Sequence, residues 1–164
     1  MFDRLLILSI LILACGCSDT GDSKKTNQGL TWLNLDDNEK FKTIEKQFRG
    51  FDKTMVEVGY RYNELYWAGV DKNWKLAKYH IEKIEHTIEL GLERRPKRKQ
   101  SATVIFPVLK ELKDGLASED QIIFKRNFET LRNTCNACHH AEKVPFFNVS
   151  IPSLRMSPLR GKPN

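Results

Sequence analysis

Near its C-terminal end the chain reads TLRNTCNACHHAEK, with Cys135 and Cys138 three positions apart and His139 directly after the second. Three chemistries use such residues: a dithiol or disulfide pair, a zinc site, and a haem held by two thioether bonds. Zinc calls for four tetrahedral ligands, and the chain has no second Cys or His pair at a suitable spacing. A redox C-x-x-C belongs to a βαβ setting, and no stretch here alternates like a strand. C-x-x-C-H is the attachment signature of c-type haem. On a helix, Cys135, Cys138 and His139 stand at i, i+3 and i+4 and share one face. Two thiols then meet the two vinyl groups while the imidazole reaches the iron from the same side. His140 is rotated by a further ~100° and is expected to point away.

Helical period supplies the scaffold for that face. Phe41, Ile44, Phe48, Phe51, Met55, Val58, Tyr62 and Leu65 recur at steps of three and four and predict one first helix over residues 37–69, with Gly50 and Gly59 as points of bending. GVDKN reads as a turn. A second helix over 74–94 carries Trp74, Ala77, Ile81, Ile84, Ile88 and Leu92 on one stripe, and RRPKRKQS breaks it. A third runs to Gly115 with Pro107 in its first turn, because a proline deeper inside would cost ~3 kcal/mol. Ser118 with Gln121 reads as a capping box for a fourth, whose inward stripe is Phe124, Phe128, Leu131, Cys135 and Cys138. His80 and His86 are expected at solvated positions of the second helix. Tyr66, Trp67 and Trp74 are expected to staple the first joint. The fold class predicted is all-α, an up-down-up-down four-helix bundle over 37–143 with haem near the C-terminal end of the last helix, followed by an extended tail over 144–164.

The N-terminus predicts export. One arginine precedes an apolar run over residues 5–14 that is too short to span a bilayer and reads as a signal-peptide core over 1–14. Ile12-Leu13-Ala14-Cys15 resembles a bacterial lipobox, with Cys15 as the lipidated residue and Cys17 as second choice. The polar stretch that follows reads as a flexible lipid-anchored tether over 15–36. The expected location is the periplasmic face of a bacterial membrane, where c-type haem attachment takes place.

A helical bundle with CNACH near the end of its last helix, and Lys143 four residues after the histidine, resembles the class II c-type cytochromes, the cytochrome c-prime group. The resemblance spans roughly residues 37–143. It implies one covalent haem c, with Cys135 and Cys138 as thioether sites and His139 as proximal iron ligand. It also implies pairing of two copies through the first two helices, and either electron transfer or the binding of small gases. The lipoprotein leader and the tail VPFFNVSIPSLRMSPLRGKPN depart from the family pattern.

The sixth ligand decides between those two functions. Counting ~30 Å down an antiparallel bundle brings the first helix to the haem level near 48–55, where Met55 faces inward and its thioether suits haem iron. Met55 can equally be core filler; Tyr62, Met156 or no residue at all are the alternatives. The net charge of +6 and the five basic residues of RRPKRK, at the haem end, suit an acidic periplasmic redox partner or the haem propionates, and equally a solvated loop. Nucleic acid is not an expected partner. The leading function is a membrane-tethered monohaem single-electron carrier; the alternative is a five-coordinate protein for nitric oxide or carbon monoxide. No enzyme activity is expected, since a distal His and Arg acid-base pair for peroxidase chemistry is missing.

Overall fold

The computed structural model describes residues 35–158. The signal peptide, Cys15, nearly all of the tether and the last six residues of the tail lie outside them. The chain divides into two units, Met1–Lys40 and Phe41–Asn164, and the second holds nearly all of the described residues. Among the described residues the structure is all-α: α1 (Asp37–Gln47), α2 (Phe51–Val70), α3 (Trp74–Arg94), α4 (Lys99–Ala102), α5 (Ile105–Gly115) and α6 (Gln121–Ala141), with 3-10 turns at Pro96–Arg98 and Leu116–Ser118. No helix among these residues is long and apolar enough to cross a membrane.

The first helix expected over 37–69 is two helices. Arg49 adopts a left-handed φ of 62°, which ends α1, and Gly50 restarts the chain in extended conformation. The break is held from outside: Arg95 Nη2 donates to the Arg49 carbonyl at 2.7 Å, and the Arg49 side chain pairs with Asp52. Phe48 is 57% exposed as a result and leaves the stripe on which Phe51, Met55 and Val58 remain.

α2 packs along α3 and α5 along α6, while α3 also meets α5 and α2 meets α6. The α2–α3 turn works because Lys72 takes a left-handed φ of 58° and the Asn73 side chain caps α3 by accepting from the Leu76 N–H at 3.1 Å. Apolar period then fills the space between the helices: Leu65 of α2, Ile81, Ile84 and Ile88 of α3, Leu109 and Leu112 of α5, and Phe124, Phe128 and Leu131 of α6 are all buried. Each such side chain contributes roughly 1.5–3 kcal/mol by leaving water. Approach is closest at Gly69, where an added Cβ would lie 2.0 Å from the Phe124 ring. Pro107 lies in the first turn of α5, as its ring requires.

The capping box expected at Ser118 does not form. Asp120 caps α6, its carboxylate accepting from the Ile122 and Ile123 N–H groups, whereas Ser118 Oγ donates back to the Gly115 carbonyl. Asp120 wins because it directly precedes the helix in extended conformation, the geometry in which a short carboxylate reaches the free N–H groups.

Candidate functional site

Both halves of the opening motif face one cavity. Phe51, Met55, Val58 and Tyr62 of α2, Ile88 of α3, Ala102, Ile105, and Thr134, Cys135, Cys138 and His139 of α6 line it, together with Val149 of the tail. Its enclosed volume is about 110 Å³, below the ~300–1,000 Å³ usual for ligand sites, and it opens to solvent on one side. Its wall is hydrocarbon and sulfur apart from Tyr62, Thr134 and His139. The structure therefore brings together Cys135, Cys138, His139 and Met55. His140 is exposed on the other side of α6.

Neither cysteine is in a disulfide. Burial pushes the Cys135 thiol up to about 12, with the nearby Cys138 adding to the rise. Cys138 is also raised by burial, against a hydrogen bond from Ser101 and the charge of Arg98, which lower it. Two protonated, sheltered thiols are the reverse of the low-pKa thiolate that a dithiol oxidoreductase needs.

His139 is held from behind. Lys143 takes a left-handed φ of 61° and turns the chain back after α6, Val144 N–H donates to the His139 carbonyl at 2.9 Å, and the Phe147 carbonyl comes to rest 2.5 Å from His139 Nδ1. A carbonyl only accepts, so Nδ1 carries the hydrogen and Nε2 is the nitrogen with a free lone pair.

The other ligand candidates lie differently. Tyr62 lines the cavity, but its hydroxyl donates to the Ser150 carbonyl at 3.2 Å, and burial together with the nearby Cys135 raises its pKa, so the phenolate form is disfavoured. Met156 is 70% exposed. It follows Arg155, which grips both carboxylate oxygens of Asp71 beyond the C-terminal end of α2. Asp71 is ~24 Å along the helix from Met55 at 1.5 Å per residue, so Met156 belongs to the opposite end of the molecule.

Comparison with known proteins finds no family model, no curated protein and no solved structure that matches this chain.

Three arginines of the basic joint are engaged within the fold. Arg94 donates to Thr54 Oγ1 at 3.1 Å, Arg95 holds the Arg49 carbonyl, and Arg98 pairs with Glu142 just past α6. Lys97 and Lys99 are exposed beside them. His80, expected in solvent, is 1% exposed. Neither ring nitrogen has a hydrogen-bond partner among the described residues, and burial, followed by the charge of Arg61, pushes its pKa down to about 4. α3 buries a wider arc than its aliphatic residues alone indicate, and His80 sits at the edge of that arc. His86 is exposed near Glu89, as expected. Trp67 does more than staple a joint: its Nε1 donates to the Leu154 carbonyl, and Arg155 stacks 4.5 Å above its ring.

Asn136 carries no signal of a role in the sequence. Its side chain exchanges both hydrogen bonds with the backbone of Val149, at 3.0 and 2.7 Å. Its partner is main chain thirteen positions on, and side-chain pattern carries no signal for that.

Proposed function

We propose that the chain is a c-type cytochrome in which α2, α3, α5 and α6 form an up-down-up-down four-helix bundle around one covalent haem. It acts as a single-electron carrier for periplasmic redox partners, tethered through Cys15 at the periplasmic face of a bacterial membrane. The observation that carries this reading is the shared cavity: both thiols, the His139 imidazole and the Met55 thioether meet in one apolar chamber.

The donor set suits the group. Among the described residues no cluster of three or more His, Cys, Asp and Glu side chains could hold a metal ion. A porphyrin brings four nitrogens of its own and asks the protein for only one or two ligands, which His139 and Met55 can supply. When bound, haem supplies one-electron iron redox chemistry. Cys135 and Cys138 would anchor it through two thioethers, each formed by adding S–H across a vinyl C=C bond, sulfur to one carbon and hydrogen to the other, with no net change of oxidation state. Phe51, Val58, Ile88 and Ile105 exclude water, which limits reorganisation when charge changes. Lys97 and Lys99 place positive charge near the same end, where it can steer an acidic partner.

A second reading follows from the same apolar wall. Where Met55 only packs against Phe51 and Val58, the chamber is suited to a small apolar gas at a five-coordinate iron.

The test is production of the full chain in a bacterium with c-type maturation machinery, followed by acid-acetone extraction of denatured protein. The pigment is expected to stay with the protein. Pigment that extracts, or a colourless product, overturns the proposal. His139→Ala is expected to leave a misligated or unstable product, and His140→Ala a nearly unchanged spectrum.

A further inference from the structure

The tail passes the cavity end of α6 and then runs beside α2. Its contacts form a sequence: the Phe147 carbonyl on His139 Nδ1, Val149 on Asn136, the Ser150 carbonyl on the Tyr62 hydroxyl, the Leu154 carbonyl on Asn63 and Trp67, and Arg155 on Asp71. Nearly all of these use tail backbone, so they demand a conformation more than a composition. Asn136 is the one that bears on the imidazole. It lies between the two cysteines of the motif, one helical turn before His139 and on the same side of α6. Its carboxamide donates to the Val149 carbonyl and accepts from the Val149 N–H, as a paired strand would. The stretch carrying the Phe147 carbonyl is thus fixed at both ends, at Val144 by the His139 carbonyl and at Val149 by Asn136.

We infer that Asn136 is a positioning residue: by pinning Val149 it holds the Phe147 carbonyl against His139 Nδ1, and so sets which nitrogen of the imidazole is free and how strongly that nitrogen donates. A hydrogen bond at the far nitrogen fixes ring orientation and tautomer and raises the basicity of a ligating histidine. The link to iron rests on the proposed function, whereas the tautomer is a property of the polypeptide itself.

The two parts are tested separately. In the full chain produced without haem, the ring nitrogen signals of His139 in 15N NMR should report the Nδ1–H tautomer. Asn136→Ala should move the ratio of tautomers by up to about tenfold toward Nε2–H, the order that one ordinary hydrogen bond controls. Asn136→Asp keeps the acceptor for the Val149 N–H but has no donor for its carbonyl, and should fall between. It serves where the alanine variant does not fold. Asp71→Asn, which weakens the pair with Arg155 at the far end of α2, should leave the ratio unchanged. In the haem-loaded chain, Asn136→Ala should raise the reduction potential and lower the iron–histidine stretching frequency, since a less basic imidazole stabilises the oxidised iron less. An unmoved tautomer ratio in a folded Asn136 variant overturns the inference. So does a moved ratio with an unmoved potential. A chain that acquires no covalent haem sinks the proposed function and leaves the tautomer result standing.

Discussion

The two ends of the helical assembly are packed by opposite rules. Where α2 meets α3 and α6 begins, aromatic rings fill the space: Trp74 lies 6.0 Å from Phe124, Phe124 lies 5.8 Å from Phe128, and Tyr62 and Tyr66 flank Phe128 at 4.6 and 5.1 Å. Gly69 is required there because the Phe124 ring occupies the space of a side chain. At the other end the same helices hold sulfur, a methionine and an open chamber. A sequence that could close one end this tightly leaves the other unfilled, and the unfilled end is the one with the motif. The closed end therefore carries the stability that lets the cavity end stay open.

The largest effect should come from attacking the closed end. Phe124→Ala removes a ring that is 2% exposed, and is expected to cost about 3–5 kcal/mol, read from urea unfolding. A loss below 1 kcal/mol would mean that this end is not the stabilising one.

Next comes His80, on α3, which should make stability depend on pH. Its pKa is 6.5 in the open chain and about 4 when folded. Above pH 6.5 the ring is neutral in both states and the stability is fully present. As pH falls from 6.5 toward 4 the unfolded chain takes the proton first, so stability is lost across that window by about 3 kcal/mol. His80→Leu is expected to flatten this part of the profile relative to wild type, measured by unfolding at pH 7.5, 5.5 and 4.5. Parallel profiles for the two proteins would show that the folded ring takes up its proton as readily as in the open chain, as a hydrated ring does.

His80 also shows what could be read in advance and what could not. The stripes of α3 and α6 were legible because one apolar face of a helix has one period, and the motif stood at the end of such a stripe. Which neighbour covers the edge of a stripe depends on packing between helices, so His80 looked solvated. The break at Arg49 was hidden for a related reason: Phe41, Ile44, Phe48 and Phe51 keep helical spacing straight through it, and one left-handed residue leaves no mark on a period. Gly50 is the visible hint, and by itself it predicts a bend as readily as a break. The tail has no period at all. Its anchors are carbonyl groups of Phe147, Ser150 and Leu154, which every residue possesses, so neither its course nor the role of Asn136 could be read from residue types. Met55 was placed at the level of the cysteines by counting helical rise, which works over a continuous helix such as α2.

A smaller effect is expected from the tail latch. Asp71→Ala removes a bidentate pair with Arg155 whose two side chains are only about a quarter exposed, and should cost about 1.5–2 kcal/mol, the scale of a hydrogen bond to a charged group. Proteolysis of the last residues should quicken while the cavity end keeps its unfolding midpoint relative to the rest. A variant as resistant as wild type would mean that Leu154, held by Asn63 and Trp67, is anchor enough.

The smallest stability change belongs to Met55→Leu, and it separates the two functional readings. The swap nearly conserves volume and lies beside a cavity, so it should cost under ~1.5 kcal/mol. Its spectral effect depends on what the sulfur does. With Met55 as second axial ligand, the haem-loaded wild type should be low-spin and six-coordinate, show a weak far-red methionine-to-iron band when oxidised, and take up carbon monoxide slowly; Met55→Leu should abolish that band and admit the gas. With Met55 only packing against Phe51 and Val58, wild type and variant should be high-spin when reduced and bind carbon monoxide alike. The first outcome fits an electron carrier, because an occupied site limits both ligand uptake and reorganisation. The second moves the function to gas binding, and it would do so while the closed end, Cys135, Cys138 and the stability of the fold stayed as they are.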